Sequence, residues 1–198
     1  MDERQLVELA GAGNEDAFEQ LVKAHEARVY HLALRMTGDR ETAFDLTQET
    51  FLKAWHAIGM FQFDSKFSTW LCRIASNTCI DHLRRKRRYQ TVSLTDPEES
   101  RALDLPDSSF DPAVLTERAQ DREAVLRALE QLPVEYRTVL SLRALEDMSY
   151  EEIGQVLDMN PGTVKSRIFR AREKMRQLLL GNFSEIGSSK KKKGGMQR

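Results

Sequence analysis

Apolar residues recur every three or four positions through most of the chain, and we find no convincing strand-like alternation of apolar and polar residues. This spacing predicts helices, because residues three and four apart share one helix face. The pattern breaks between residues 91 and 117, where prolines and serines accompany a strongly acidic charge. The sequence therefore predicts an all-α protein with two small helical domains joined by a flexible acidic linker.

Four segments follow from this pattern. We expect a helical domain over residues 1–90, the linker over 91–117 and a second helical domain over 118–180. Residues 181–198 are rich in glycine, serine and lysine, a low-complexity composition that favours a disordered basic tail. The chain starts with no secretory leader and has no apolar run near the ~20 residues that cross a bilayer. We therefore expect a cytoplasmic protein.

Helix signals place the elements of the first domain. Asn14 and Asp39 are favourable N-caps, and Gly38 suits the left-handed turn that ends a helix. The expected inner faces of three long helices are Phe18, Leu21, Val22, Val29, Leu32, Ala33 and Met36; Ala43, Thr47, Thr50, Phe51, Ala54 and Ile58; and Phe67, Trp70, Leu71, Ile74, Ala75 and Thr78. Arg73, Ser76, Asn77, Ile80 and Arg84 are expected to project elsewhere from the third helix, which runs to about Arg88.

The second domain carries the signature of a helix-turn-helix. Ser149 and Glu152 have capping-box spacing, and Asn160 and Pro161 are typical of a second helix start only a few residues later. On a helical wheel, Val164, Ile168, Ala171, Met175, Leu178 and Leu179 fall within an arc of about 100°, the width of a core-facing stripe. Phe169 and Arg170 point the opposite way, on a helix with six basic residues and one acidic residue between 161 and 180.

Charge segregation indicates a polyanionic partner. The net charge of −1 conceals basic blocks of +5 at residues 61–95 and +5 at 161–180, separated by acidic segments. In a helix-turn-helix, the second helix enters the major groove of DNA, where arginine reads guanine and an apolar ring contacts a thymine methyl group. Aromatic residues beside a basic helix, here Phe61 and Phe63 beside Arg84, are also typical of sites for unstacked bases.

Enzyme motifs are not found. The sequence has no P-loop, no dinucleotide-binding glycine pattern, no zinc-protease motif and no nucleophile elbow. The two cysteines, Cys72 and Cys79, match no metal motif and are about 10 Å apart along one predicted helix, too far for a disulfide. We therefore expect no catalytic activity, no cofactor, no metal site and no small-molecule substrate.

Five stretches of the sequence carry a resemblance to a known family. The segments 45–55 (DLTQETFLKAW) and 67–77 (FSTWLCRIASN) resemble region 2 of bacterial sigma factors. The segments 132–137, 150–154 and 162–172 resemble region 4. A short chain with only these two regions, matched over residues 14–180, is similar to the extracytoplasmic-function group of sigma factors.

The resemblance implies partners and site residues. The implied partners are promoter DNA, the clamp coiled coil and flap of core RNA polymerase, and an anti-sigma factor. The implied contacts with the polymerase are Asp45, Gln48, Glu49, Leu52 and Lys53. For the −10 element, the candidates from the residues and the resemblance together are Phe61, Phe63, Arg73, Asn77 and Arg84. For the −35 element they are Gly162, Thr163, Lys165, Ser166, Phe169 and Arg170.

Two other classes of function compete with this interpretation. A conventional transcription regulator shares the helix-turn-helix but does not need the polymerase-binding surface at residues 45–53, and it normally binds palindromic DNA as a dimer. A helical interaction protein that binds no DNA would not explain the two basic blocks. Binding to core RNA polymerase separates the sigma factor from both.

Overall fold

The computed structural model describes residues 1–92 and 124–193, and these residues form helices and no strands. The first domain contains α1 (Glu3–Gly11), α2 (Glu15–Thr37), α3 (Arg40–Ala57), a 3₁₀ turn (Ile58–Met60) and α4 (Phe67–Val92). The second contains α5 (124–130), α6 (Val134–Glu146), α7 (Tyr150–Leu157) and α8 (Pro161–Lys193). The predicted all-α fold class is confirmed.

The predicted helix ends of the first domain are present. The Asn14 side chain accepts a hydrogen bond from the backbone N–H of Ala17 at 2.8 Å, and Asp39 accepts one from Thr42 at 2.7 Å. Gly38 has φ +74°, the left-handed conformation that terminates α2. These caps satisfy backbone groups that helix ends otherwise leave without partners.

The core of the first domain lies between α2, α3 and α4. All six residues predicted for the inner face of α3 are buried. Five of the seven predicted for α2 are buried, while Phe18 and Val22 are half-buried at its edge. Cys72 and Cys79 are buried free thiols in α4, and burial raises the pKa of Cys79 to about 12. They behave as small apolar side chains rather than as reactive groups.

Ser76 was expected to project away from the inner face of α4, and it is fully buried there, since α4 packs against α6 and α7 as well as against α2 and α3. Residues 181–193 continue α8, and the disordered basic tail over 181–198 stays a prediction. The predicted linker, 91–117, lies outside the described residues apart from 91 and 92, which end α4.

The helix-turn-helix has the predicted caps and a very tight turn. Ser149 and Glu152 form the capping box, with hydrogen bonds of 3.1 and 2.9 Å. Asp158 has φ +52°, and the N–H of Met159 donates to the carbonyl of Gly154 at 2.9 Å. A Cβ added to Gly154 would lie 2.5 Å from the carbonyl oxygen of Met159. Only glycine therefore allows the two helices to approach this closely.

We predict that Gly154→Ala destabilises the second domain by about 1–3 kcal/mol, the usual cost of forcing an extra carbon into a packed site. The matched control is Gly162→Ala, where the nearest atom would be a side-chain oxygen at 3.3 Å. Thermal unfolding followed by circular dichroism compares the two variants. Equal melting temperatures for both would contradict the proposed steric role of Gly154.

Candidate nucleic-acid interface

The first half of α8 presents one buried face and one exposed face. Val164, Ile168 and Ala171 are almost completely buried against α6 and α7, as the wheel predicts. On the other side, Phe169 is 68% exposed although it is apolar. Gly162, Lys165, Ser166 and Arg170 are also exposed, and Thr163 is half-buried. The six residues predicted from the sequence therefore lie at the start of one helix, and five of them are open to solvent.

The start of this helix is firmly fixed. Asn160 accepts a hydrogen bond from the N–H of Thr163 at 2.8 Å, and the Ser166 hydroxyl donates to the carbonyl of Thr163 at 3.0 Å. Farther along, Arg176 forms an exposed ion pair with Glu173 at 3.1 Å. The basic side chains nearest the capped end are thus the best placed to enter a groove of DNA, since a recognition helix inserts its N-terminal part.

An aromatic cluster supports the loop before α4. The Phe61 ring lies 5.2 Å from Trp70 and 6.1 Å from Phe67 between ring centroids, and it is only 8% exposed. Phe63 lies 4.9 Å from Phe61 between ring centroids, with the two rings tilted by 52°, but it is 38% exposed, and its backbone has φ +58°. Sequence reasoning named both rings as base-capturing candidates. The structure buries Phe61 as a support and leaves Phe63 at the surface.

Arg4 is a neighbour of this loop that the sequence analysis missed. Its guanidinium carbon lies 4.9 Å from the centroid of the Phe63 ring, and the two residues border a shallow cleft. A cation over an aromatic face is an attractive arrangement. No sequence signal could have found this contact, because it joins residues far apart in the chain through the packing of α1 on the 3₁₀ turn.

The three polar candidates on α4 are not equivalent. Asn77 and Arg84 are exposed, and Arg73 is half-buried. Asn77 and Arg84 border a cavity of about 370 Å³ whose opposite wall belongs to the second domain, where Val134, Leu157 and Arg167 line it. The structure thus brings residues of the two candidate DNA-binding regions to one cleft.

The predicted surface on α3 is exposed but partly engaged within the domain. Leu52 is 62% exposed, and Phe44, which the sequence analysis did not select, is 55% exposed. Lys53 pairs with Glu49 at 2.7 Å and donates to the hydroxyl of Thr78 on α4 at 3.1 Å. Phe44, Gln48 and Leu52 are spaced by four residues and therefore form one stripe along the helix. We call Phe44, Asp45, Gln48 and Leu52 the α3 face.

Family models and known proteins match this arrangement. A model of sigma-70 region 2 matches residues 21–89, and one of sigma-70 region 4 matches residues 122–175. The chain is 39% identical over 175 residues to the RNA polymerase sigma-H factor of Pseudomonas aeruginosa, covering 86% of this chain and 90% of that protein. It is 36% identical over 173 residues to the ECF RNA polymerase sigma factor SigW of Bacillus subtilis, covering 84% and 91%.

The chain belongs to the sigma-70 family of RNA polymerase sigma factors, in its extracytoplasmic-function group. Among solved structures, this sigma factor resembles CnrH in complex with the cytosolic domain of CnrY, with a TM-score of 0.66, 31% identity and coverage of 91% and 99% of the two chains. It also resembles the sigma factor RpoE of Bartonella quintana, solved with the anti-sigma factor NepR, with a TM-score of 0.66, 25% identity and coverage of 82% and 96%.

Two absences hold for the described part of this sigma factor. Residues 1–92 and 124–193 contain no cluster of three histidine, cysteine, aspartate or glutamate side chains that could hold a metal ion. None of the helices formed by the same residues is long and apolar enough to cross a bilayer.

The two faces of α8 predict opposite effects of neighbouring substitutions. Ile168→Ala should lower the stability of the second domain by about 2–5 kcal/mol, because it empties a buried position. Phe169→Ala should leave the melting temperature nearly unchanged, because its ring lies largely in solvent. Differential scanning calorimetry measures both. A large loss of stability in Phe169→Ala would mean that its ring is part of the core.

Proposed function

We propose that this sigma factor binds core RNA polymerase and directs it to promoters, with the exposed face of α8 reading the −35 element. The observation that carries the proposal is the exposed Phe169 beside Arg170 on the capped end of a helix whose opposite face is buried. Arginine can bond guanine O6 and N7 in the major groove, and an aromatic ring can contact a thymine methyl group. Gly162, Thr163, Lys165 and Ser166 complete the proposed reading face.

For the −10 element we propose the loop before α4 together with the outer side of α4. Phe63 offers an exposed ring on which an unpaired base can stack, and Phe61 holds that ring in position from beneath. Asn77 supplies hydrogen bonds to a base edge, while Arg73 and Arg84 supply positive charge for the backbone. Single-stranded DNA is held by this combination of stacking platforms and cationic residues.

For the polymerase we propose the α3 face. Exposed apolar side chains flanked by polar ones are typical of helix docking surfaces, and Phe44 and Leu52 lie at the two ends of such a stripe. Glu49 and Lys53 contribute less in this proposal, because they already pair with each other and with Thr78. The clamp coiled coil of the large subunit, which the family resemblance implies, offers the helical surface that this stripe requires.

The proposal also covers how and where this chain acts and which kind of protein restrains it. The chain acts by binding rather than by catalysis, in the cytoplasm, where polymerase and promoters are found. Both structural neighbours above were solved with a bound partner, the cytosolic domain of CnrY in one case and the anti-sigma factor NepR in the other. We therefore propose that an anti-sigma factor restrains this chain too.

Transcription in vitro tests the proposal as a whole. Purified core polymerase is combined with the full chain on a library of promoter sequences, and the initiated transcripts are sequenced. We expect transcripts from a defined −35 and −10 pair only when both proteins are present. Sequence-specific binding of palindromic DNA by the chain alone, with no effect on core polymerase, would instead identify a conventional regulator.

The proposed reading face predicts different phenotypes for two arginines of α8. Arg170→Ala should cost about 1–3 kcal/mol of binding at one base pair of the −35 element and relax the preference there. Arg176→Ala, farther from the capped end, should weaken binding to all DNA sequences alike and make that binding less dependent on salt. The measurement is promoter selectivity of the reconstituted holoenzyme at several salt concentrations. Identical profiles for both variants would remove Arg170 from the reading face.

The α3 face predicts a loss of polymerase affinity without a loss of stability. Leu52→Asp should weaken binding to core polymerase at least about tenfold, or ~1.4 kcal/mol, because it places a charge in an apolar contact. Its melting temperature should stay close to that of the wild type, since Leu52 is 62% exposed. The control is Leu180→Asp, an exposed leucine on α8. Unchanged affinity in Leu52→Asp would exclude this face as the docking surface.

A further inference from the structure

The first helix, α1, is fixed beside the loop before α4 at both of its ends. Near its start, Nε2 of the buried His25 on α2 donates a hydrogen bond to a carboxylate oxygen of Glu3 at 2.8 Å. Near its end, a Cβ added to Gly59 of the 3₁₀ turn would lie 3.3 Å from the carbonyl oxygen of Gly11. The helix therefore holds a defined position next to the loop proposed to capture −10 bases.

One side chain of α1, Arg4, lies over an exposed ring of that loop. Its guanidinium carbon is 4.9 Å from the centroid of the Phe63 ring, and its Nε donates to a carboxylate oxygen of Glu8, one turn along α1, at 3.2 Å. The Arg4 side chain is nevertheless 69% exposed, so these contacts leave it open to solvent. A planar guanidinium over an aromatic face is an attractive arrangement. Arg4 and Phe63 therefore present two flat groups together at the surface.

The backbone of Phe63 shows that its ring needs contacts to hold it. A bulky residue with φ +58° is uncommon, because this left-handed conformation crowds its Cβ. Such conformations persist where the surrounding structure compensates for them, and they cluster at functional sites. The Phe63 ring contacts Phe61, which is buried, and Arg4, which is exposed. Of these two neighbours, Arg4 is the one that a ligand can reach.

The cleft beside this pair has the composition of a site for a base. Its volume is about 430 Å³, within the range of pockets that hold small ligands. Two basic and two acidic side chains line it, together with Phe61, Phe63 and Phe67. A cleft of this mixed charge differs from the uniformly positive track that follows a phosphate backbone. Aromatic rings and guanidinium planes, by contrast, are the groups on which unstacked bases lie.

From this arrangement we propose that Arg4 is a further residue of the −10 site and that it acts on a base rather than on a phosphate. Its guanidinium holds the Phe63 ring in place and extends the flat surface on which one unpaired base stacks. The inference rests on the proposed function, because it starts from the assignment of Phe63 to the −10 element. It adds α1 to a site otherwise formed by α4 and the loop before it.

Two simpler roles of Arg4 lead to different behaviour. As a general cation, Arg4 would strengthen binding to any DNA strand through the phosphates, and its contribution would depend on salt but on no single base. As a stabilising residue, it would lower the melting temperature of the chain when it is replaced. As part of a stacking surface, it contributes only when one particular base and the Phe63 ring are both present.

A thermodynamic cycle in the holoenzyme separates these roles. The full chain with core polymerase is bound to a promoter fork whose −10 region is single-stranded, and to forks in which one base at a time is replaced by an abasic site. Fluorescence anisotropy gives the affinities of the wild type, Arg4→Ala, Phe63→Gly and the double variant. Glycine is chosen at position 63 because it removes the ring and accepts φ +58° without strain. The matched control is Lys23→Ala, since Lys23 is also 69% exposed and pairs with Glu19 one turn away on α2.

We expect Arg4→Ala to weaken binding to the complete fork about two- to fivefold, the range for an exposed contact between a cation and a ring. The loss should disappear on the fork that lacks one particular base and in the Phe63→Gly background, because groups that act together are not additive. Arg4→Lys should not restore the affinity, since an ammonium keeps the charge but lacks the plane. Lys23→Ala should bind like the wild type, and the melting temperature of Arg4→Ala should stay unchanged.

The opposite results would overturn the inference. These are unchanged affinity in Arg4→Ala, an equal loss on every abasic fork, additive losses in the double variant, or full recovery in Arg4→Lys. Failure of the proposed function gives a separate result. If Phe63→Gly binds the complete fork as tightly as the wild type, the proposed role of Phe63 has failed, and the inference fails with it. If the wild-type chain does not improve the binding of core polymerase to the fork, the proposed function as a whole has failed.

Discussion

The hydrogen bonds of Arg137 join the two domains and fix the turn between α5 and α6. The arrangement of the other helices depends on these bonds. A buried guanidinium is costly unless it has hydrogen-bond acceptors, and here three carbonyls of two domains accept from its two terminal nitrogens, while its buried Nε has no acceptor. Two of these carbonyls fix the turn between α5 and α6, and the third fixes the end of α2. The same side chain therefore shapes the second domain and aligns it with the first.

The ion pair between Lys66 and Glu152 is a weaker contact between the two domains than the hydrogen bonds of Arg137. The ion pair between Lys66 and Glu152 is exposed on the lysine side, and such pairs contribute little to stability. Polar interfaces between domains resemble transient complexes rather than permanent ones. When the domains separate, water can hydrogen-bond both the Met36 carbonyl and the freed guanidinium. These polar contacts are only part of the interface, because buried apolar side chains of both domains belong to one continuous cluster.

Features that depend on neighbours along the chain could be predicted from the sequence. The inner face of α3 and the caps at Asn14, Asp39 and Ser149 follow from helical spacing and from side chains that bond the nearby backbone. The two faces of α8 follow for the same reason, because Val164, Ile168 and Phe169 differ only in their angle around one helix axis.

Features that depend on contacts between distant segments could not be predicted. Ser76 is buried because α4 is covered on further sides, which a single helical wheel does not reveal. Phe61 and Phe63 are two residues apart and chemically identical, so only their packing separates the buried support from the exposed ring. The contact of Arg4 with Phe63 and that of Arg137 with Met36 join residues far apart in the sequence.

In the proposed function, Phe169 faces promoter DNA when polymerase is bound. Replacing Phe169 with the photoreactive analogue benzoylphenylalanine, in the full chain with core polymerase and promoter, tests this most directly. We expect a light-dependent cross-link to the duplex about 35 base pairs upstream of the start site, whereas the same probe at Phe44 on α3 should label the polymerase. A probe at position 169 that labels only protein, or DNA far from that element, would contradict the proposed role of Phe169.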